Sequence, residues 1–255
     1  MSDRLFGIHP VLEALQARRR DVTRVLIASS RRDARVGRVL EAARAAGVPV
    51  MRQPDQALDR LAGGEAHQGV VAFVAGAPYT DPEELLGAAD RSALFVVLDG
   101  VEDPRNLGAV VRAAAAAGAR GLFLPERGAV GLTAVAVKAS AGATERLPVA
   151  RVGNIVSLLK SLKERNVWVI GLDICGGAPW TSFDLTSPVA LVLGGEGKGL
   201  RRLARETCDV VLSIPMASGV DSLNLAVAAG VVLFEVVRQR RAVPGAGPGA
   251  AAPTR

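Results

Sequence analysis

The chain has 255 residues, 49% of them hydrophobic, which is enough to bury one large core or two modest ones and excludes an intrinsically disordered protein. Thirty-one Lys and Arg against 25 Asp and Glu give a formal net charge of +6; this favours a polyanionic partner, although GC-rich coding produces the same Arg-, Ala- and Gly-rich composition. The two cysteines, Cys175 and Cys208, and the two histidines, His9 and His67, have no metal-site or disulfide-framework spacing, so neither is expected. The longest apolar run, 225–234, falls well short of the roughly 20 residues a membrane span needs, and the first residues lack a signal segment; the expectation is a cytoplasmic protein.

In chain order, residues 1–76 read as a small α/β unit: a helix over 10–18, a strand over 22–28, a helix over 33–46, a strand near 48–51 and a strand over 69–74. Twelve Arg and no Lys stand against eight acids there, a net charge of +4 that would assist docking on a nucleic acid. Residues 77–92 mix Pro, acids and a short helical stretch, which suits a linker. From residue 93 onward apolar strands (94–98, 121–124, 167–172, 189–193, 210–214) alternate with helices (107–117, 134–141, 155–164, 200–207, 223–240). That alternation predicts a mostly parallel sheet with helices on both faces, over 93–242. The tail 243–255 is Pro, Gly and Ala without periodicity and is expected to be disordered.

Three segments set a few polar residues in strongly apolar surroundings: DGVEDPRNLGAVVR at 99–112, LGGEGKGL at 193–200 and IPMASGVDSLN at 214–224. Each follows or completes an apolar strand-like run, so their polar residues should gather at the C-terminal ends of neighbouring strands, where open α/β sheets bind ligands. In the first segment, Asn106 sits where the helix should begin; it is either the N-cap or a substrate contact. Arg112 is the only charged residue over 107–117, so it is expected to be buried and paired or facing a cleft, with Gly108 leaving room for its stem to run toward Asn106. The second segment is not a Walker loop, because Lys198 is followed by Gly199, and its spacing is too short for a dinucleotide fingerprint. Its four glycines and lone Glu196 instead point to backbone pressed close against a bound ligand. In the third, Asp221 or Ser222 would cap the final helix and Asn224 would be a buried amide needing partners. That helix is apolar on every face, more than one sheet can cover, which predicts a homodimer. A serine hydrolase is excluded, since there is no Gly-x-Ser-x-Gly and no histidine in the C-terminal half.

In order and spacing, the three segments resemble the signature motifs of the SpoU family of SPOUT RNA methyltransferases. FGIHPV at 6–11, HQGVVA at 67–72 and KASAGA at 138–143 extend the resemblance over nearly the whole chain. The resemblance implies a C-terminal trefoil knot, which no periodicity reveals, and an N-terminal L30e-like domain that binds substrate RNA. It implies S-adenosylmethionine-dependent methylation of a ribose 2′-hydroxyl, most similar to enzymes acting on a guanosine of 23S rRNA. Methylation of a transfer RNA ribose, or a non-catalytic RNA-binding or ribosome-assembly factor, are the alternatives. By the same resemblance Gly194, Gly195, Ile214, Met216 and Leu223 hold the cofactor, and Arg112, Asn106, Glu196, Ser222 and Asn224 form the catalytic set. Arg112 would either take the hydroxyl proton or stay charged, bind a phosphate and stabilise the developing alkoxide, while the other four orient it and the ribose.

Overall fold

The computed structural model describes residues 3–17, 22–64, 66–74, 79–175, 177–197, 199–218 and 222–242. The tail 243–255, Lys198 and Asp221 lie outside the described residues. The N-terminal unit runs β1 (Asp3–Phe6), α1 (Ile8–Ala17), β2 (Val22–Ala28), α2 (Ala34–Ala45), β3 (Val50–Gln53), α3 (Asp55–Ala62) and β4 (Val70–Val74). Its four strands lie in the order β1-β4-β2-β3, with β4 antiparallel to both neighbours and β3 parallel to β2. Two elements escape the sequence pattern: β1 and α3, of four and eight residues, are too short to establish a period. The segments 6–11 and 67–72 explain each other. The Gln68 side chain accepts from Ile8 N at 3.2 Å, while Gly7 N donates to Val70 O at 3.0 Å. His67 is locked in the same turn, pairing with Asp59 at 2.8 Å and accepting from Gly69 N at 3.1 Å.

The second unit contains α4 (Pro82–Gly87), β5 (Leu94–Asp99), α5 (Pro104–Ala116), β6 (Gly121–Pro125), α6 (Ala134–Ala139), a 3₁₀ turn (Ala143–Glu145), β7 (Val149–Val152) and α7 (Ile155–Glu164). It continues through β8 (Trp168–Leu172), β9 (Ala178–Pro179), β10 (Val189–Gly194), α8 (Arg202–Thr207), β11 (Val210–Ser213) and α9 (Leu225–Ala242). Its seven strands, ordered β7-β6-β5-β10-β8-β11-β9, are parallel throughout. All six residues of β5 are buried. Leu94, Val96 and Leu98 join the core formed with α5, α6 and α9, whereas Phe95 and Val97 join that formed with α4, α7 and α8. Such double coverage is why these strands read as continuous apolar runs rather than alternating ones.

The stretch 77–92 is more than a tether, because its helix α4 buries Leu85 and Leu86 on the second sheet. A Cβ on Gly121 would fall 2.4 Å from a Leu85 methyl, so that close seat requires glycine. The two units dock through segment 138–143. Gly142, at φ +90°, lies where a Cβ would meet Glu13, whose carboxylate takes two hydrogen bonds from Arg146, at 2.5 and 2.7 Å. No helix among the described residues is long and apolar enough to cross a membrane. In the large sheet β10 enters between β5 and β8, so strand order reverses there, and crevices at such reversals open at the carboxyl ends of the strands.

Candidate active site

Helix α5 starts three residues earlier than its apolar pattern indicates. Pro104 takes the first helical position and the Asp103 carboxylate caps it, accepting from Arg105 N at 2.7 Å. Asn106 is therefore not the cap; it sits in the first turn with its amide available. Helix α9 is capped by Asn224, whose Oδ1 accepts from Ala226 N at 2.9 Å and Val227 N at 3.4 Å, and not by Ser222. Asn224 is also exposed rather than buried. Its Nδ2 donates to Asn106 Oδ1 at 2.9 Å, Asn106 Nδ2 donates to Glu196 Oε1 at 2.8 Å, and Glu196 Oε2 accepts from Glu102 N at 3.1 Å. The capping bonds and the carboxylate, an acceptor at both oxygens, fix which way each amide faces. Burial alone would push the Glu196 carboxyl up, but the Asn106 amide and backbone N–H groups at Glu102, Glu196 and Asp103 hold it below the ordinary carboxylate range. At neutral pH Glu196 is an anion, and the chain has one direction.

Beside this chain lies a cleft of about 700 Å³ at the carboxyl ends of β8 and β10 and along the segment entering α9. It is lined by Gly194, Gly195, Ile214, Met216 and Leu223, all five expected cofactor contacts, and by Glu196, Ser222 and Asn224. Sequence reasoning missed Asp173, Ile174 and Cys175, which line it from the end of β8; an acid directly after an apolar strand was the available signal. Asp173 accepts from Leu200 N at 3.3 Å and Cys175 N at 3.0 Å and pairs with Arg205 at 3.4 Å, tying the glycine-rich turn to β8. The tightness of that turn is internal. A Cβ on Gly194 would lie 2.0 Å from Gly199 C, and one on Gly195 would lie 2.4 Å from Gly100 O, so these two glycines admit the chain's own backbone rather than a ligand. Gly197, at φ +76°, faces open space.

Arg112 departs furthest from expectation. It is exposed, with no hydrogen bond or ion pair among the described residues. The space beside Gly108 is filled by α6, since a Cβ there would sit 2.3 Å from Ala136 O, so no stem runs through it. Six residues of helix also turn Arg112 onto a different face from Asn106, the face shared by exposed Arg105 and Ala116. The alanines of α5 concealed that face because alanine is at ease exposed or buried. Within one chain the fold thus joins Asn106, Glu196 and Asn224 by hydrogen bonds, sets Ser222 on the adjoining cleft, and leaves Arg112 apart.

The cleft has the volume of a small-molecule site and walls built from glycine backbone and from Leu193, Ile214, Met216, Leu223 and Leu225, as a nucleoside carrying a sulfonium requires. Residues 93–234 match the SpoU rRNA Methylase family and residues 4–80 match the RNA 2′-O ribose methyltransferase substrate binding family. The chain belongs to the SpoU family and is an S-adenosylmethionine-dependent RNA methyltransferase. It is 45% identical over 242 residues to the 23S rRNA (guanosine-2′-O-)-methyltransferase RlmB of Xylella fastidiosa, covering 94% of this chain and 97% of that one. The RlmB of Ralstonia nicotianae is 43% identical over 241 residues with the same coverage. Among solved structures, the SpoU methyltransferase AviRb from Streptomyces viridochromogenes in complex with AdoMet aligns at TM-score 0.81 and 29% identity over 94% of this chain and 91% of its own. The A. aeolicus TrmH/SpoU tRNA modifying enzyme aligns at TM-score 0.54 and 27% identity over 63% of this chain and 81% of its own.

Proposed function

We propose that this chain methylates the ribose 2′-hydroxyl of a guanosine in 23S rRNA, using residues 93–242 for catalysis and 1–76 to engage the RNA. The observation that carries the reading is the directed chain Asn224–Asn106–Glu196 on the lip of the cleft. The RlmB relatives support the ribosomal substrate, since they match this chain along both units, whereas the tRNA enzyme matches 63% of it.

S-adenosylmethionine in the cleft supplies an electrophilic methyl group. Gly194, Gly195, Ile214, Met216 and Leu223 hold it with backbone and apolar side chains; a neutral wall penalises the loss of sulfonium charge less than a carboxylate clamp would. Asn106, Ser222 and Asn224 orient the ribose, and Glu196 holds Asn106 in place. Arg112, reachable by solvent, binds the phosphate beside the target ribose and stabilises the developing alkoxide as a charged guanidinium. The hydroxyl proton passes to that phosphate or to water as the oxygen takes the methyl group. The C-terminal segment is threaded as a trefoil knot, a reading that rests on membership of the SpoU family. The protein acts in the cytoplasm as a homodimer, whose interface includes the α9 stripe on which Val227 and Phe234, one heptad apart, are each 50% exposed.

Mapping 2′-O-methyl groups in rRNA and tRNA from cells with and without the gene tests this reading. One 23S guanosine should lose its methyl group in the deletion. Loss from transfer RNA alone would replace the substrate, and no loss anywhere would remove the enzymatic assignment. Light scattering should give twice the monomer mass, and Phe234→Asp should halve it.

A further inference from the structure

The N-terminal sheet is covered unequally. One face packs on α1 and α2, and the other carries α3, whose Leu58 and Leu61 cover Leu26, Ala28 and Val71. Beyond the end of α3, strand register places Arg4, Phe73 and Arg24 in one row across β1, β4 and β2. The guanidinium carbon of Arg24 lies 3.9 Å from the centre of the Phe73 ring, and Arg24 has no hydrogen bond or ion pair among the described residues. Arg4 is anchored at the end of α3, donating to Leu61 O at 2.9 Å. Both arginines are exposed, and Met51, in the next row, is 48% exposed. Four acids of this unit are engaged elsewhere: Asp33 caps α2, Asp55 accepts from Ser30, Asp59 holds His67 and Glu13 holds Arg146.

We propose that this row is a stacking platform for an unpaired RNA base, with the outward plane of Arg24, laid flat by Phe73, as the stacking surface and Arg4 as the flanking phosphate contact. A guanidinium is planar and weakly hydrated, so it stacks on an aromatic ring and offers its other plane to a base. A carboxylate partner would have claimed Arg24 were its role only structural, and a half-buried aromatic capped by one exposed guanidinium and flanked by another complements a nucleotide better than an apolar protein surface. The inference rests on the proposed RNA substrate and names the surface that reads it.

The test uses the full-length protein. Dissociation constants of the parent are first measured for a 23S rRNA transcript and a tRNA transcript, and the variants are then titrated with the transcript the parent binds more tightly. A preference for tRNA would overturn the substrate reading and leave the platform to be judged on that RNA. Arg24→Gln should weaken binding about tenfold, the scale of one lost base stack, with S-adenosylmethionine affinity and the melting temperature held. Arg24→Lys should fail to restore it, because lysine keeps the charge and lacks the plane. Phe73→Leu should weaken binding less than Arg24→Gln, and a 2-aminopurine in a 15-nucleotide single-stranded RNA should be quenched by the parent and not by Arg24→Gln. Full rescue by lysine would reduce the site to a phosphate contact, and parental affinity in Arg24→Gln, or RNA affinity intact with self-association lost, would overturn the platform.

Discussion

The two sheets spend polarity in different places. In the seven-stranded sheet every strand is parallel, both faces are sealed by helices, and the residues of the site stand at one end, where strands stop and helices start. In the four-stranded sheet one face is left partly open, and its arginines lie on the sheet surface rather than at strand ends. A sheet buried on both sides can present chemistry only at its edges and ends, so its site is narrow and rigid. A half-open sheet presents a broad surface suited to a large partner.

This contrast predicts that substitutions at the strand ends of the large sheet matter most. Gly194→Ala should be the most damaging: its Cβ would fall within 2.1 Å of Gly199 backbone atoms, which cannot move as a flexible side chain could. A stability loss of at least about 3 kcal/mol, with cofactor binding abolished, is expected from chemical denaturation and calorimetry. An alanine variant of parental stability would mean that the turn is looser than its geometry shows.

Arg112→Lys should cut turnover about a hundredfold, near 2.7 kcal/mol, with cofactor affinity kept, because lysine lacks the fork that touches two oxygens together. Single-turnover rates beside calorimetry separate the two. Lost cofactor affinity would move Arg112 into the binding pocket, and normal turnover would end its catalytic role.

Glu196→Gln should cost up to about 1.5 to 3 kcal/mol of stability at neutral pH, the range for hydrogen bonds to a charged group. Because folding holds this carboxyl below its ordinary value of 4.5, its contribution is present above that pH and is lost as pH falls through the lower folded value. The gap between parent and variant in denaturant melts should therefore close in acid below about pH 4.5. A gap that stays constant from pH 7 to pH 3 would contradict the depressed value. At the joint between the two units, Glu13→Gln should cost under about 1 kcal/mol, since its partner Arg146 is 64% exposed to water. A larger loss in thermal melts would show that the units depend on each other more than their contact implies.

Sequence pattern locates the strands well: β2 of the N-terminal sheet is matched residue for residue, and β5, β6, β8, β10 and β11 of the parallel sheet to within a residue at either end. Sealed strands leave an unbroken apolar run that any reader of the chain can see. Short elements such as β1, β7, β9 and α3 left no period to detect. In the site, the three polar segments are legible because polar residues at strand ends have few structural reasons to be there, whereas Gly194, Gly195, Ile214, Met216 and Leu223, which line the cleft, are indicated only by the family resemblance. The caps stay open in the sequence, since Asp103, Asn106, Ser222 and Asn224 are all chemically competent caps and only the backbone path chooses among them.

Composition and periodicity by themselves determined that this chain folds as α/β with a basic N-terminal unit, and where its polar segments fall, because hydrophobic period and strand-end polarity are properties of neighbours in sequence. Tertiary structure alone decided that Asn224 would cap α9 and reach Asn106, 118 residues away, that Glu196 would close the chain from 90 residues off, and that Arg112 would face water. Those outcomes depend on which helix start meets which strand end and which helix fills the groove beside Gly108, and packing between distant segments leaves no period in the sequence.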